Sequence, residues 1–307
     1  MAVQAWRARL AYNVVGAVLL ALVGAQPAGA APADRLIVFA SDRGGQTNLW
    51  TMHSDGSGLT QLTDDKANND FPDWSPNRRQ IAWTVGGGGP AGEIWVMNAD
   101  GTGRRQVTHN SFPDFDATWS PDGGQLVYRS SRGGEPDIFA IRVDGTGERQ
   151  LTNNPARDFA PDWSPDGRRI TFSSERSGSS AVYSMDATDG SDVRQLTPDA
   201  MQAAFGRYSP DGTKIGFVDA ACGVCGEQDV FVMNTDGSEI RQVTNTPDNE
   251  SMGGWFSKGT RVVVELSRVT PGTLGKRDVA VVTVATGATA NLTSTTAIDE
   301  SHPDGQP

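Results

Sequence analysis

The chain is nearly without histidine and cysteine, with three of the first and two of the second in 307 residues. His53, His109 and His302 fall in different parts of the sequence, so a zinc centre built from His and Cys ligands is excluded for want of them. Cys222 and Cys225 share one segment, "AACGVCGEQD" (220–229). Read as a loop of an exported protein, the pair is expected to form a disulfide that staples it. A redox-active Cys-x-x-Cys would instead need a helix N-terminus to lower a thiol pKa, and the segment reads as a loop. No Gly-x-Ser-x-Gly elbow occurs, which argues against a serine peptidase of the α/β-hydrolase kind.

Positive charge is also short. Against 37 Asp and Glu stand 26 Lys and Arg, a formal net charge of −11. That balance disfavours nucleic acid and anionic membranes as partners and favours cations and basic protein patches. One apolar run stands out, Val14 to Ala25, shorter than the ~20 residues a membrane span needs. Arg7 and Arg9 precede it and the small residues "AGA" (28–30) follow, the arrangement of a secretory signal over residues 1–30. The expectation is an exported chain, periplasmic or secreted, with no transmembrane span after cleavage. Beyond this leader no stretch shows a helical period of 3.6.

What the chain has in abundance is repetition. "FPDWSP" (71–76), "DATWSP" (116–121), "APDWSP" (160–165) and "FGRYSP" (205–210) return at intervals of about 45 residues, with a degenerate "WFS" at Trp255. An Asp-Gly pair recurs at Asp55, Asp100, Asp144, Asp189 and Asp236, with Thr286-Gly287 in the sixth place. A Leu-Thr or Val-Thr pair recurs at Leu62, Val107, Leu151, Leu196, Val243 and Leu292. Six units are visible.

Each unit reads as four short strands. A strand ending in the aromatic residue is followed by a Ser-Pro-Asp-Gly turn, in which Pro fixes φ and Asp-Gly supplies the reversal. An alternating second strand such as "RITFSS" (169–174), a polar loop, and a third strand such as "DIFAI" (137–141) follow, rich in β-branched and aromatic residues. The Asp-Gly pair then closes a hairpin into a fourth strand, "RQLT" (149–152). A single such sheet has two apolar faces and needs neighbours. Four-stranded sheets at this period, set radially, make a β-propeller.

The fold expected is therefore all-β, a six-bladed propeller over residues 34–307. Its first blade starts at a second strand, "RLIVFAS" (35–41), so the tail "DESHPDGQP" (299–307) is expected to supply the missing inner strand. In every other unit the aromatic lies twelve residues beyond the Leu or Val of the pair; from Leu292 that count reaches Asp304.

"DFAPDWSPDGRRITFSS" (158–174), "EIWVMNADGTGRRQVT" (93–108) and "DVFVMNTDGSEIRQVT" (229–244) resemble the WD-like repeat of the TolB propeller family over nearly the whole chain after the leader. The resemblance implies an exported propeller that acts as a docking platform for an envelope protein or lipoprotein. TolB itself carries an α/β domain ahead of its propeller; here the leader runs straight into the first blade, so the resemblance implies the propeller without that domain.

Candidate site residues come from the inner strands. Six residues beyond each recurring Thr stand Asn69, Asp114, Asp158, Ala203, Glu250 and Asp299. Two readings are open. The carboxylates form an acidic ring at one mouth of the channel, attracting calcium or another divalent cation or a basic segment of a partner, or each caps its own turn. The aspartates of the Ser-Pro-Asp-Gly and Asp-Gly turns are explained by turn chemistry, and Trp50, Trp83, Trp95 and the aromatic of each repeat by packing. The function expected is non-catalytic binding by a monomer, since a closed ring has no free sheet edges. The alternative is a channel-bound, metal-dependent hydrolase or lyase acting on envelope glycans or small secreted molecules.

Overall fold

The computed structural model of the chain describes residues 35–86, 92–219, 228–256, 258–270, 273–295 and 297–306. The expected leader (1–30) and the pair Cys222 and Cys225 lie outside them. Within them are 24 strands in six four-stranded antiparallel sheets. No helix occurs among the described residues, and none is long and apolar enough to cross a membrane.

Five sheets are continuous in sequence: blade II (69–106), blade III (114–150), blade IV (158–195), blade V (203–242) and blade VI (249–291). Blade I joins the two ends of the chain, with Glu300–Gly305 as inner strand beside Leu36–Ser41, Asn48–His53 and Thr60–Gln61.

The repeated phrases turn out to be local devices. In blade IV the hydroxyl of Ser164 accepts the Arg169 amide at 2.9 Å and donates to Asp166 at 2.6 Å, while Asp166 accepts the Arg168 amide at 3.0 Å. Ser and Asp thus satisfy the donors that a tight reversal strips from the sheet ladder. The recurring Thr works the same way at the other end of the sheet. Thr152 Oγ1 accepts the Ile138 amide at 2.9 Å and donates to Asp137 at 3.0 Å. Thr63, Thr108, Thr197, Thr244 and Thr293 each accept the corresponding third-strand amide in their own blades.

The Asp-Gly pair and the Leu-Thr pair are linked across blades. Gly190 of blade IV has φ +76°, and a Cβ there would overlap the carbonyl oxygen of Leu151 in blade III. Glycine is required for its conformation and for this approach. Gly56 makes the same approach to Leu292, where a Cβ would lie 3.0 Å from the carbonyl oxygen, so the contact closes the ring from blade VI to blade I.

Core side chains lie between blades. Trp163 of blade IV joins Val127, Ile138 and Ala140 of blade III in one buried cluster. Each large apolar group so buried contributes about 1.5–3 kcal/mol. In blade I the place of the aromatic is taken by Gly305, which pairs with Ile37, whereas Trp163 pairs with Ile170. The count to Asp304 is therefore one short, because the segment leading into this inner strand is one residue longer. Phe256 occupies the room left at Gly305, 3.1 Å from where a Cβ would stand.

Candidate functional site: the central channel

The antiparallel order places both turn types of every blade on one face of the ring and the second-to-third-strand loops on the other. The inner strands line the axis, but they are not regular. Each breaks register after its second residue or shortly beyond. In five blades the third residue has positive φ: Phe71 (52°), Asp116 (56°), Ala160 (48°), Phe205 (58°) and His302 (48°). Such backbone costs roughly 1–3 kcal/mol per residue and re-aims a side chain, as bulges do. These five residues, with Met252 of blade VI, line a cavity of about 270 Å³ on the axis.

Two residues further along each strand lies the charged floor of a second cavity, about 240 Å³, that opens on the turn face. Asp73, Asp162, Arg207 and Asp304 occupy this level. The carboxylates bind neighbouring blades: Asp304 accepts the Trp74 amide at 2.8 Å, Asp73 the Trp119 amide at 3.1 Å and Asp162 the Tyr208 amide at 2.8 Å. Arg207 reaches Asp162 at 3.5 Å. Around the floor, Trp74, Trp119, Trp163, Tyr208 and Trp255 show an edge to the cavity while remaining over nine-tenths buried. Pro76, Pro121, Pro165 and Pro210 form the rim.

Three carboxylates face one guanidinium in a partly desolvated space, and their protonation reflects it. Burial, with Arg207 as partial compensation, pushes Asp162 up to about 6. Burial also pushes Asp304 up to about 7 against the bond from Trp74. Asp73 is held well above the usual carboxylate range by burial and then by Asp304. Burial alone would lower Arg207, but Asp162, Asp73 and Asp304 outweigh it and raise it. The turn aspartates behave in the opposite way. Asp55, Asp100, Asp144, Asp189 and Asp236 accept bonds from their own turns and are lowered, so the turn face stays negatively charged when the floor does not.

At the other end of the inner strands, Asn69, Asp114, Asp158 and Glu250 are fully buried and engaged inside their blades. Asp158 meets Arg176 at 2.9 Å and Asn154 at 2.8 Å. Asp114 accepts from Asn110 at 2.7 Å and lies 3.7 Å from Arg132; burial raises it. Glu250 accepts from Thr246 at 2.6 Å, and burial pushes it up to about 7. Asn69 accepts from the Trp83 indole at 2.8 Å. In blade I the buried equivalent is Glu300, paired with Arg43, while Asp299 stands one residue earlier and binds Arg277 at 2.6 Å. No group of three or more His, Cys, Asp or Glu suited to a metal ion occurs among the described residues.

The bulge residues and the floor were not singled out from sequence. Their signal was the pair of residues between Asp158 and Pro161, which strict alternation cannot place, and the recurrence of Asp immediately before the aromatic at Asp73 and Asp162.

Fold and site together define a six-bladed propeller with a charged, aromatic-walled funnel on its axis. The family model of the TolB beta propeller domain matches residues 60–147 and 136–255, more than half of the chain, and the chain belongs to that family. Among solved structures, TolB from Acinetobacter baumannii superposes with a TM-score of 0.75 at 21% identity, covering 90% of this chain and 67% of that one. Oligogalacturonate lyase from Vibrio parahaemolyticus superposes with a TM-score of 0.60 at 14% identity over 83% and 73%. Hydrazine synthase from Kuenenia stuttgartiensis gives 0.70 at 15% over 90% and 47%. At these identities the likeness is one of fold, which such different proteins share. A search of curated proteins finds no match.

Proposed function

We propose that the chain is an exported, non-catalytic binding module that docks an envelope protein or lipoprotein on its turn face, with the funnel as the anchoring point. The observation that carries this reading is the funnel itself: carboxylates beneath a rim of aromatic edges and prolines, ringed by turns whose aspartates are lowered by their own hydrogen bonds. Aromatic walls above a charged floor suit a protruding side chain from a partner, and an acidic face steers a basic one. The family match and the leader-like residues 1–30 support an envelope setting. The test is retention of proteins from an envelope extract by the immobilised chain and by an Asp73→Asn, Asp304→Asn variant of equal thermal stability. A partner held by the first and released by the second supports docking at the funnel. Equal retention by both contradicts it, and turnover of an envelope glycan by the native chain would favour the hydrolase or lyase alternative.

A further inference from the structure

We infer that the funnel takes a primary ammonium group on an apolar stem, a lysine side chain of the docked partner, held between Asp73 and Asp304. The inference rests on the docking reading and names the group docked.

The first ground is a shortage of positive charge, because Asp73, Asp162 and Asp304 share the guanidinium of Arg207. Asp304 accepts the amide of Trp74, the residue next to Asp73, so the strands of blades I and II bring the two carboxyl groups together at one level of the channel. Asp162, the third acid, has Arg207 at 3.5 Å. Arg207 also acts on Asp73 and Asp304 against their burial, but its ion pair is with Asp162. Two like charges at close quarters favour either a proton or an incoming cation.

The second ground is the wall. Pro76, Pro121 and Pro165 with the edges of Trp74 and Trp119 give the cavity an apolar lining above its charged floor. Methylenes pack on such a lining while the charged head goes deeper, the reverse of a snorkelling surface lysine. At about 240 Å³ the space is smaller than the ~300–1,000 Å³ of pockets for drug-sized ligands. It suits one extended side chain.

The third ground is the geometry of the floor, around which the indoles are not equally bonded. The indoles of Trp119 and Trp255 donate to inner-strand carbonyls of the preceding blades, at 3.2 and 2.9 Å. Trp74 and Trp163 line the same cavity at 3% and 8% exposure, yet their Nε1 atoms have no acceptor. Both atoms are themselves buried and take no part in contacts within the cavity. Ammonium suits the floor better than guanidinium because its three donors are not confined to a plane, whereas the two acids come from different strands and a planar fork wants one carboxylate face.

Burial favours a proton on Asp73 and Asp304, and an entering ammonium competes with that proton, so binding strengthens as pH rises. Arg207 and Asp162 face the same space, and Asp116, Glu265 and His302 lie in the adjoining cavity. His302 is bound to Asp70 at 2.6 Å. Protonation of His302 at low pH adds to the weakening.

The experiment measures tryptophan fluorescence and calorimetric heat for the whole chain with the probe acetyl-Gly-Ser-Lys-Ser-Gly-amide. The same peptide with Nε-acetyl-lysine and with arginine serves as comparison, at pH 8 and pH 5.5. The lysine peptide is expected to bind, with the acetylated form at least about tenfold weaker, since it loses a charge-assisted contact of about 1.4 kcal/mol or more. Binding is expected to fall about tenfold at pH 5.5. Equal binding of the acetylated peptide, arginine binding more tightly than lysine, or no lysine binding would each overturn the ammonium assignment. If the lysine peptide fails while an envelope partner is still released by the Asp73→Asn, Asp304→Asn variant, docking stands and only the ammonium is wrong. Because the three peptides are compared on the native chain, the test of the ammonium assignment itself does not depend on a variant folding.

Discussion

The carboxylate of Asp304 accepts the backbone amide of Trp74 at 2.8 Å across 230 positions of sequence. The inner strand of blade I is thereby bonded on one side to Leu36–Ser41 and on the other to blade II. Ending the chain before Asp299 removes both sets of bonds and exposes the inner edge of blade I. Loss of a single cooperative unfolding transition, read by calorimetry, is the expected result, because neighbouring blades share their cores. A transition unchanged in midpoint would show that closure adds nothing.

Acidity acts on the same residues with a definite sign. Asp162 and Asp304 are raised to about 6 and about 7, and Asp73 is raised as well. A carboxyl with a raised folded pKa binds more protons folded than unfolded, so stability falls as pH rises from about 4 through about 7. His302 is raised although burial opposes it, because Asp70 prevails; its contribution is full below the unfolded value of about 6.5 and is lost above it. All four groups act in one direction. Urea midpoints should drop between pH 5 and pH 8 by an equivalent of about 1–3 kcal/mol. Asp304→Asn, which keeps an acceptor for Trp74, should flatten that slope and be more stable than the native chain at pH 8.

Thr152→Val tests the cap at the start of the third strand. The exchange keeps the shape but leaves the Ile138 amide and Asp137 without the hydroxyl that joins them. A loss of about 1–3 kcal/mol is expected from the buried unsatisfied groups. Thr152→Ser should recover most of it, and a Val variant as stable as the native chain would refute the assignment.

Two glycines separate conformational strain from crowding. Gly45 has φ +95° with nothing within 4 Å of a Cβ, whereas Gly190 has φ +76° against the Leu151 carbonyl. Gly45→Ala should cost about 1 kcal/mol, the strain alone. Gly190→Ala adds a displacement of the blade III–blade IV contact and should cost about 2–4 kcal/mol. Equal costs in thermal denaturation would mean that the inter-blade approach carries no energy.

Much of this fold is legible in the sequence because each blade carries its own instructions locally. Ser164, Asp166 and Gly167 specify a turn through bonds among six consecutive residues, and Thr152 marks the end of a sheet within fifteen residues of its partner. The channel was less legible, since Asp73, Asp162, Arg207 and Asp304 meet only when the ring closes. The bulges at Phe71 and His302 break the alternation from which side-chain direction is read. Asp114 and Asp158 stood out by recurrence, yet Arg132 and Arg176 from their own blades engage them, a pairing invisible until the second-to-third-strand loop is placed.

Carboxyl labelling of the chain with and without its captured envelope partner tests the central claim most directly. Asp122, Asp166 and Asp211 belong to the inner turns, on the face where the funnel opens, while on the opposite face Asp64 and Glu135 are exposed and Glu175 is half-buried. A partner seated in the funnel predicts protection of the first three and unchanged labelling of the second. Protection of Asp64, Glu135 and Glu175 with free labelling of the inner turns would contradict the account and place docking on the loop face.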